Sequence, residues 1–103
     1  MIRPLTEGIY QYDFADSVSK SRVHLRVDPD LSGLLVVNAS RIVHLNPSAL
    51  YMAFLTLEKV PEKEALRALK DRFSAPMRQL KQGYLETHAR VEALIDENSG
   101  LCP

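Results

Sequence analysis

The stretch that decides the fold is RIVHLNPSALYMAFLTL, residues 41–57, in which a strand runs through a sharp corner into a helix. Arg41–Leu45 alternates polar and apolar side chains around two β-branched residues, which is typical of a half-buried strand. Asn46 has the side chain of an N-cap residue. Pro47 suits the first helical position, because its φ is preset and it has no N–H to leave unpaired. Large apolar residues then recur at helical spacing, at Leu50, Tyr51, Phe54, Leu55 and Leu57. The segment predicts a strand packed directly against a helix.

Two further strands are predicted upstream of this corner. Residues 23–27 alternate apolar and polar side chains, and residues 28–33 carry the Pro, Asp, Ser and Gly that favour turns. Residues 34–37 are uniformly apolar, so we expect both faces of that strand to be covered. Residues 38–40 are a hairpin-length connection to the strand at 41–45. Together these segments predict a three-stranded antiparallel meander.

Three helices are predicted after the corner, the middle one short. The first fades near residues 58–59, and the second restarts with Pro61 at its first position. Its buried stripe is Ala65, Leu66, Leu69 and Phe73. The third helix runs from about Met77 to Asp96, and Gly83 within it allows a close approach. Its packing seam is Met77, Leu80, Tyr84, Thr87, Val91 and Leu94. The pattern predicts an α+β, winged-helix-like fold, in which a three-stranded antiparallel sheet is followed by a three-helix bundle.

The first 22 residues form an N-terminal arm that contains an extra candidate strand. Within residues 8–14, Tyr10, Tyr12 and Phe14 share one face of a period-two pattern. An exposed sheet edge is seldom left bare, so we expect the arm to pair with one. Pairing at 41–45 would make it an autoinhibitor, and pairing at 23–27 would extend the sheet. Pairing with a second copy would make a homodimer.

Composition limits the classes of function. The chain has 103 residues, of which 46% are hydrophobic and 25% charged, and its 13 basic and 13 acidic residues give a formal net charge of zero. This balance argues against nucleic-acid binding, which depends on neutralising phosphates. One cysteine and the absence of a signal-peptide pattern or a long apolar run predict a soluble cytoplasmic domain.

No catalytic constellation is present in the sequence. The four glycines are scattered and there are no paired cysteines, so neither a phosphate-binding loop nor a catalytic site is expected, and no cofactor is implied. His24, His44 and His88 lie on two predicted strands and a helix. A three-histidine metal site is conceivable, but solvated surface histidines are much commoner, so we expect no metal ligands. We also expect no enzymatic activity.

The corner Leu45-Asn46-Pro47-Ser48-Ala49, with a β-hairpin before it and about three helices after it, resembles the PqqD family. Members of that family are peptide-recognition domains that hold ribosomal precursor peptides for modifying enzymes. The resemblance extends over roughly residues 23–95. The sequence departs from the family pattern where Glu58-Lys59-Val60 replaces an expected glycine, and where the N-terminal arm is longer than the family needs.

The resemblance implies that a precursor peptide docks between the third predicted strand and the third helix. One wall of that groove would be Arg41, Ile42, Val43, His44 and Leu45, and the other Lys81, Leu85 and His88. The peptide would add a strand to the sheet edge. The implied partners are the precursor peptide and a modifying enzyme, a radical S-adenosylmethionine enzyme being the leading candidate.

The sequence leaves two alternative functions open. The same order of elements would serve a winged-helix DNA-binding regulator. The chain could also be the leading domain of a larger radical S-adenosylmethionine enzyme. We therefore divide it into an arm at residues 1–22, a PqqD-like domain at residues 23–98, and residues 99–103 as a tail or the start of a following domain.

Overall fold

The computed structural model describes residue 2 and residues 4–15, 20–38 and 41–99, and over this part of the chain four strands precede three helices. The strands are β1 (Gly8–Ala15), β2 (Lys20–Val27), β3 (Gly33–Val37) and β4 (Arg41–Leu45). The helices are α1 (Pro47–Leu57), α2 (Glu62–Arg72) and α3 (Met77–Ser99). The α+β class is as predicted. The prediction of three strands is wrong, because the candidate strand in the N-terminal arm joins the sheet.

The sheet is antiparallel with strand order β1-β2-β3-β4. β1 pairs with β2, so that Tyr10 lies opposite Leu25 and Tyr12 opposite Val23. The arm therefore extends the sheet at the 23–27 edge, and none of its described residues pairs with β4. Strands that are close in sequence pair at a small cost in chain entropy, which favours this edge over the distant β4.

One face of the sheet carries the helices. The apolar residues of β2 and β3 that alternate toward this face are almost fully buried, namely Val23, Leu25, Val27, Leu35 and Val37. Residues 50–57 of α1 are all buried, which makes α1 the central helix. α3 lies against α1, α2, β2 and β3, and α1 also contacts β3 and β4. The core thus lies between the sheet and the helices.

The other face of the sheet is open among the described residues. Because side chains alternate along β3, Leu34 and Val36 point away from the core and are only half-buried. Ile42 lies opposite Val36 on the same face and is 59% exposed, and Ile9 of β1 is 70% exposed. The expectation that residues 34–37 would be covered on both faces is wrong, because all three helices follow the sheet and pack on one side of it.

The N-terminal segment closes the core at the β1 end. We call Pro4, Leu5 and Thr6 the strap. Leu5 is buried, and the Tyr10 hydroxyl donates a hydrogen bond to the Pro4 carbonyl oxygen (3.2 Å) and accepts one from the Thr6 backbone N–H (3.0 Å). The Tyr10 ring also packs edge-on against Phe54 of α1, with ring centroids 5.4 Å apart. The strap and β1 are therefore part of the folded body.

α3 is longer and more exposed at its start than predicted. It ends at Ser99 instead of near Asp96, and Met77, which we expected in the packing seam, is 42% exposed. The close approach at Gly83 is confirmed, since a Cβ there would lie 3.1 Å from Cε of Met52. In the described part of the chain, no helix is both long and apolar enough to cross a membrane.

Candidate functional site

The candidate site begins at β4, the last strand in the sheet order. β4 pairs with β3 from Gly33 opposite Leu45 to Val37 opposite Arg41, and no strand in the described ranges lies on its outer side. Half of the backbone N–H and C=O groups of an edge strand point away from the sheet. This edge offers the main-chain donors and acceptors that an added strand needs.

The residues of β4 divide between the two faces of the sheet. Val43 lies opposite the buried Leu35, so it shares the helix-bearing face with Arg41 and Leu45. Val43 and Leu45 are half-buried, whereas Ile42 and His44 lie on the open face and are exposed. A peptide paired with β4 would therefore place alternate side chains beside Val43 and Leu45, and the others beside Ile42 and His44.

The corner that ends β4 is held by the predicted N-cap. Oδ1 of Asn46 accepts a hydrogen bond from the Ala49 backbone N–H (2.8 Å) and one from the Ser48 hydroxyl (3.1 Å). Asn46 has extended backbone dihedrals and Pro47 occupies the first helical position. This cap stops β4 at Leu45 and sets the direction in which α1 leaves the sheet.

The second predicted wall lies on α3, and its three residues differ in exposure. Lys81 and Leu85 are exposed, with Leu85 43% exposed. Residues four apart lie on one side of a helix, so Met77, Lys81 and Leu85 form one ridge. We call these three residues the α3 ridge. Met77 was missed as a candidate because we assigned it to the packing seam, although its spacing to Lys81 and Leu85 already placed it on this flank.

His88, the last predicted residue of that wall, belongs to different surroundings. Its Nε2 lies 3.3 Å from Oε1 of Glu92, and its ring centroid is 5.7 Å from that of Tyr84. It lines a cavity of about 430 Å³ between the end of α1 and the second half of α3. The lining residues are Thr56, Leu57, Lys59, Val60, His88, Glu92 and Ile95. None of these residues belongs to β4.

A second cavity, of about 660 Å³, lies at the end of β4. It is lined by Arg26, Asp28, Ser32, Gly33, Leu34, His44, Leu45 and Asn46. Arg26 is already paired with Asp28, with Nε 3.0 Å from Oδ1. This cavity shares no residue with the one lined by His88. His44 and Leu45 line one cavity, and His88 lines the other.

The β2–β3 turn, beside the second cavity, is stabilised by the carboxylate of Asp30. Asp30 Oδ1 accepts hydrogen bonds from the Ser32 hydroxyl (2.6 Å) and the Ser32 backbone N–H (3.1 Å). These two bonds lower the pKa of the Asp30 carboxyl below its usual range, because they stabilise the charged form. The acid therefore has a structural role in the β2–β3 turn.

The Tyr84 hydroxyl also has a structural role. Burial raises the pKa of the Tyr84 hydroxyl above its usual value, although a hydrogen bond with the Thr56 side chain opposes the shift. Tyr84 is therefore a neutral core residue. Over the described ranges no group of three or more His, Cys, Asp or Glu side chains is placed to hold a metal ion, and His24, His44 and His88 lie on β2, β4 and α3.

Comparison of this chain with protein-family models, with curated proteins and with solved structures finds no match.

Proposed function

We propose that this chain is a non-catalytic peptide-binding module, which takes up a precursor peptide as a fifth strand along β4 and presents it to a modifying enzyme. The observation that carries the proposal is that β4 ends the sheet order with no described strand on its outer side. Strand addition to such an edge is a common mode of peptide recognition, in which main-chain hydrogen bonds give affinity and side-chain contacts give preference.

Besides the free backbone edge of β4, two features of the site support this proposal. The helix-bearing side of β4 presents the half-buried apolar residues Val43 and Leu45. On α3, Leu85 and Met77 are large apolar residues left exposed on the ridge. We propose that these apolar side chains anchor alternate residues of an extended peptide bound along β4.

We also propose that the fold is winged-helix-like and that the chain is related to PqqD-like domains. Both proposals rest on the order of elements and on the corner from Leu45 to Ala49. A radical S-adenosylmethionine enzyme is the proposed modifying partner. It is either a separate protein or a further part of the same polypeptide. The genes beside the coding sequence would distinguish these arrangements.

The expected affinity follows from the number of contacts. About four added backbone hydrogen bonds, each contributing roughly 0.5–1.5 kcal/mol, act together with one or two buried apolar anchors. Ordering the peptide and losing its free motion oppose these terms. We therefore expect a dissociation constant on the order of 1 μM.

The test is an NMR titration with the leader segments of precursor peptides whose genes lie near the gene for this chain. Amide shifts should change together in β4 and in the first half of α3. Leu85→Glu should weaken binding about tenfold or more, because it replaces an apolar side chain that anchors the peptide with a charged one. Gln79→Glu is the matched control, since it adds the same carboxylate at an exposed position of α3 outside the ridge.

Two outcomes would overturn this function. One is a set of peptide shifts confined to regions other than β4 and α3. The other is tight, steeply salt-dependent binding to duplex DNA in a gel-shift series, which would favour a DNA-binding regulator.

A further inference from the structure

The sheet has a second edge, β1, which the proposed function does not use. The sheet order ends at β1, so within the described ranges no strand lies on its outer side. Natural proteins usually protect an exposed edge with a proline, a lysine, a bulge or a short strand. β1 has eight residues and contains no Pro, Lys or Arg. Its pairing with β2 is unbroken from Gly8 opposite Val27 to Ala15 opposite Lys20. This edge is therefore long and regular, and β1 itself carries none of these protective features.

The residues of β1 are compatible with pairing to an identical strand. Asp13 carries the only charge in β1, and its Oδ1 lies 3.4 Å from Nε of Arg22. Two copies of β1 can pair antiparallel about a twofold axis in two registers that use most of the strand. One register is centred on Gln11 and the other on Tyr12. They place Asp13 opposite Ile9 or Gln11 of the other copy, so neither register opposes like charges.

We propose that β1 is a homodimer interface, at which two copies pair their β1 strands antiparallel across a twofold axis. The result is a continuous sheet of eight strands. An isologous contact of this kind requires a surface that complements itself, and the near-neutral, bulge-free β1 meets that requirement. Ile9, which is 70% exposed in one copy, lies beside the seam and becomes partly covered. Both β4 edges remain at the outer ends of the dimer, and the inference does not depend on whether they bind peptides.

The dimer should be weak. Strand pairing alone buries less than the ~1,200 Å² that stable interfaces need, so we expect a dissociation constant on the order of 100 μM. Sedimentation equilibrium on the full chain, from about 10 μM to about 1 mM, covers this range. The expected result is a reversible monomer–dimer equilibrium.

Gln11→Glu tests the location of the interface. Gln11 is exposed on the open face. A glutamate there lies opposite the same residue of the other copy in the register centred on Gln11, and opposite Asp13 of the other copy in the register centred on Tyr12. Both registers then oppose like charges, so dimerisation should weaken about tenfold or more. Gln79→Glu makes the same substitution at an exposed position of α3 and should leave the equilibrium unchanged.

A second measurement does not depend on any variant. In an equal mixture of ¹⁵N-labelled and unlabelled wild-type chains, isotope-filtered NOEs should connect β1 amides of one copy to β1 protons of the other. A chain that stays monomeric to about 1 mM would overturn the inference. So would a dimer that tolerates Gln11→Glu but is lost with Ile42→Glu, because β4 would then be the interface.

Discussion

At the scale of single residues, Asn46 links the candidate site to the core. Its side chain accepts from the Ala49 backbone N–H at 2.8 Å, and this bond satisfies one of the four N–H groups that every helix leaves unpaired at its start. The residue before it, Leu45, ends β4, and the buried part of α1 begins at Leu50. One side chain therefore controls where the β4 edge stops.

We expect Asn46→Ala to lower the free energy of unfolding by about 1 kcal/mol, because the capping bond is lost while the orphaned N–H remains. Asn46→Asp keeps an acceptor at the same place and adds a charge that the helix dipole favours, so it should be close to wild type. Urea denaturation followed by circular dichroism measures both. Equal stability of Asn46→Ala and wild type would show that the cap does not contribute.

At the scale of elements, the end of α1 shows how the chain replaces an expected glycine. Lys59 has φ +58°, a left-handed conformation that glycine adopts without strain. Its N–H donates to the Thr56 carbonyl (3.0 Å), and the Val60 N–H donates to the Leu55 carbonyl (3.1 Å). This pair of bonds is a Schellman motif. A lysine thus holds the left-handed turn at the position where we had expected a glycine.

Lys59→Gly should raise the free energy of unfolding by about 1 kcal/mol, because it removes the cost of holding a Cβ in the left-handed region. Lys63→Gly is the matched control, since it lies on the exposed side of α2 and should lower stability by about 1 kcal/mol through helix propensity. Thermal or urea unfolding of the two variants should thus show opposite signs. A destabilised Lys59→Gly would contradict this account of the turn.

At the scale of the whole molecule, the strap and β1 complete a core that the rest of the chain leaves open. Leu5 is buried, and the Tyr12 hydroxyl donates to Oε2 of Glu58 at 2.6 Å, which joins β1 to the end of α1. The strap is hydrogen-bonded to Tyr10 of β1, and β1 lies at the opposite end of the sheet order from β4. The N-terminal segment should therefore contribute to stability and not to peptide affinity.

Deleting residues 1–15 should lower the free energy of unfolding by about 3 kcal/mol, from the lost burial of aromatic and aliphatic side chains. The affinity of the surviving folded fraction for peptide should be unchanged. Leu5→Ala is a milder version, with an expected loss of about 2 kcal/mol, and the exposed Glu7→Ala should change stability by less than about 0.5 kcal/mol. A rise in peptide affinity on deletion would mean that the arm occupies the β4 edge in solution.

Most of the local structure could be predicted from the residues themselves. The corner at Asn46 and Pro47, the breaks between helices and the two-residue period of β2 follow from interactions within a few positions of the chain. The close approach at Gly83 was also predictable, because few other reasons place a glycine inside a packed helix.

The sequence by itself thus determined the kind and order of the elements, since capping, periodicity and turn chemistry are local. Only the tertiary structure decided that β1 pairs with β2, that Leu34 and Val36 are only half-buried on the open face, and that His88 lines a cavity with the end of α1. Each of these depends on which distant surface an element meets. Several surfaces satisfy the same apolar pattern, and the choice among them is made by the packing of all the elements together.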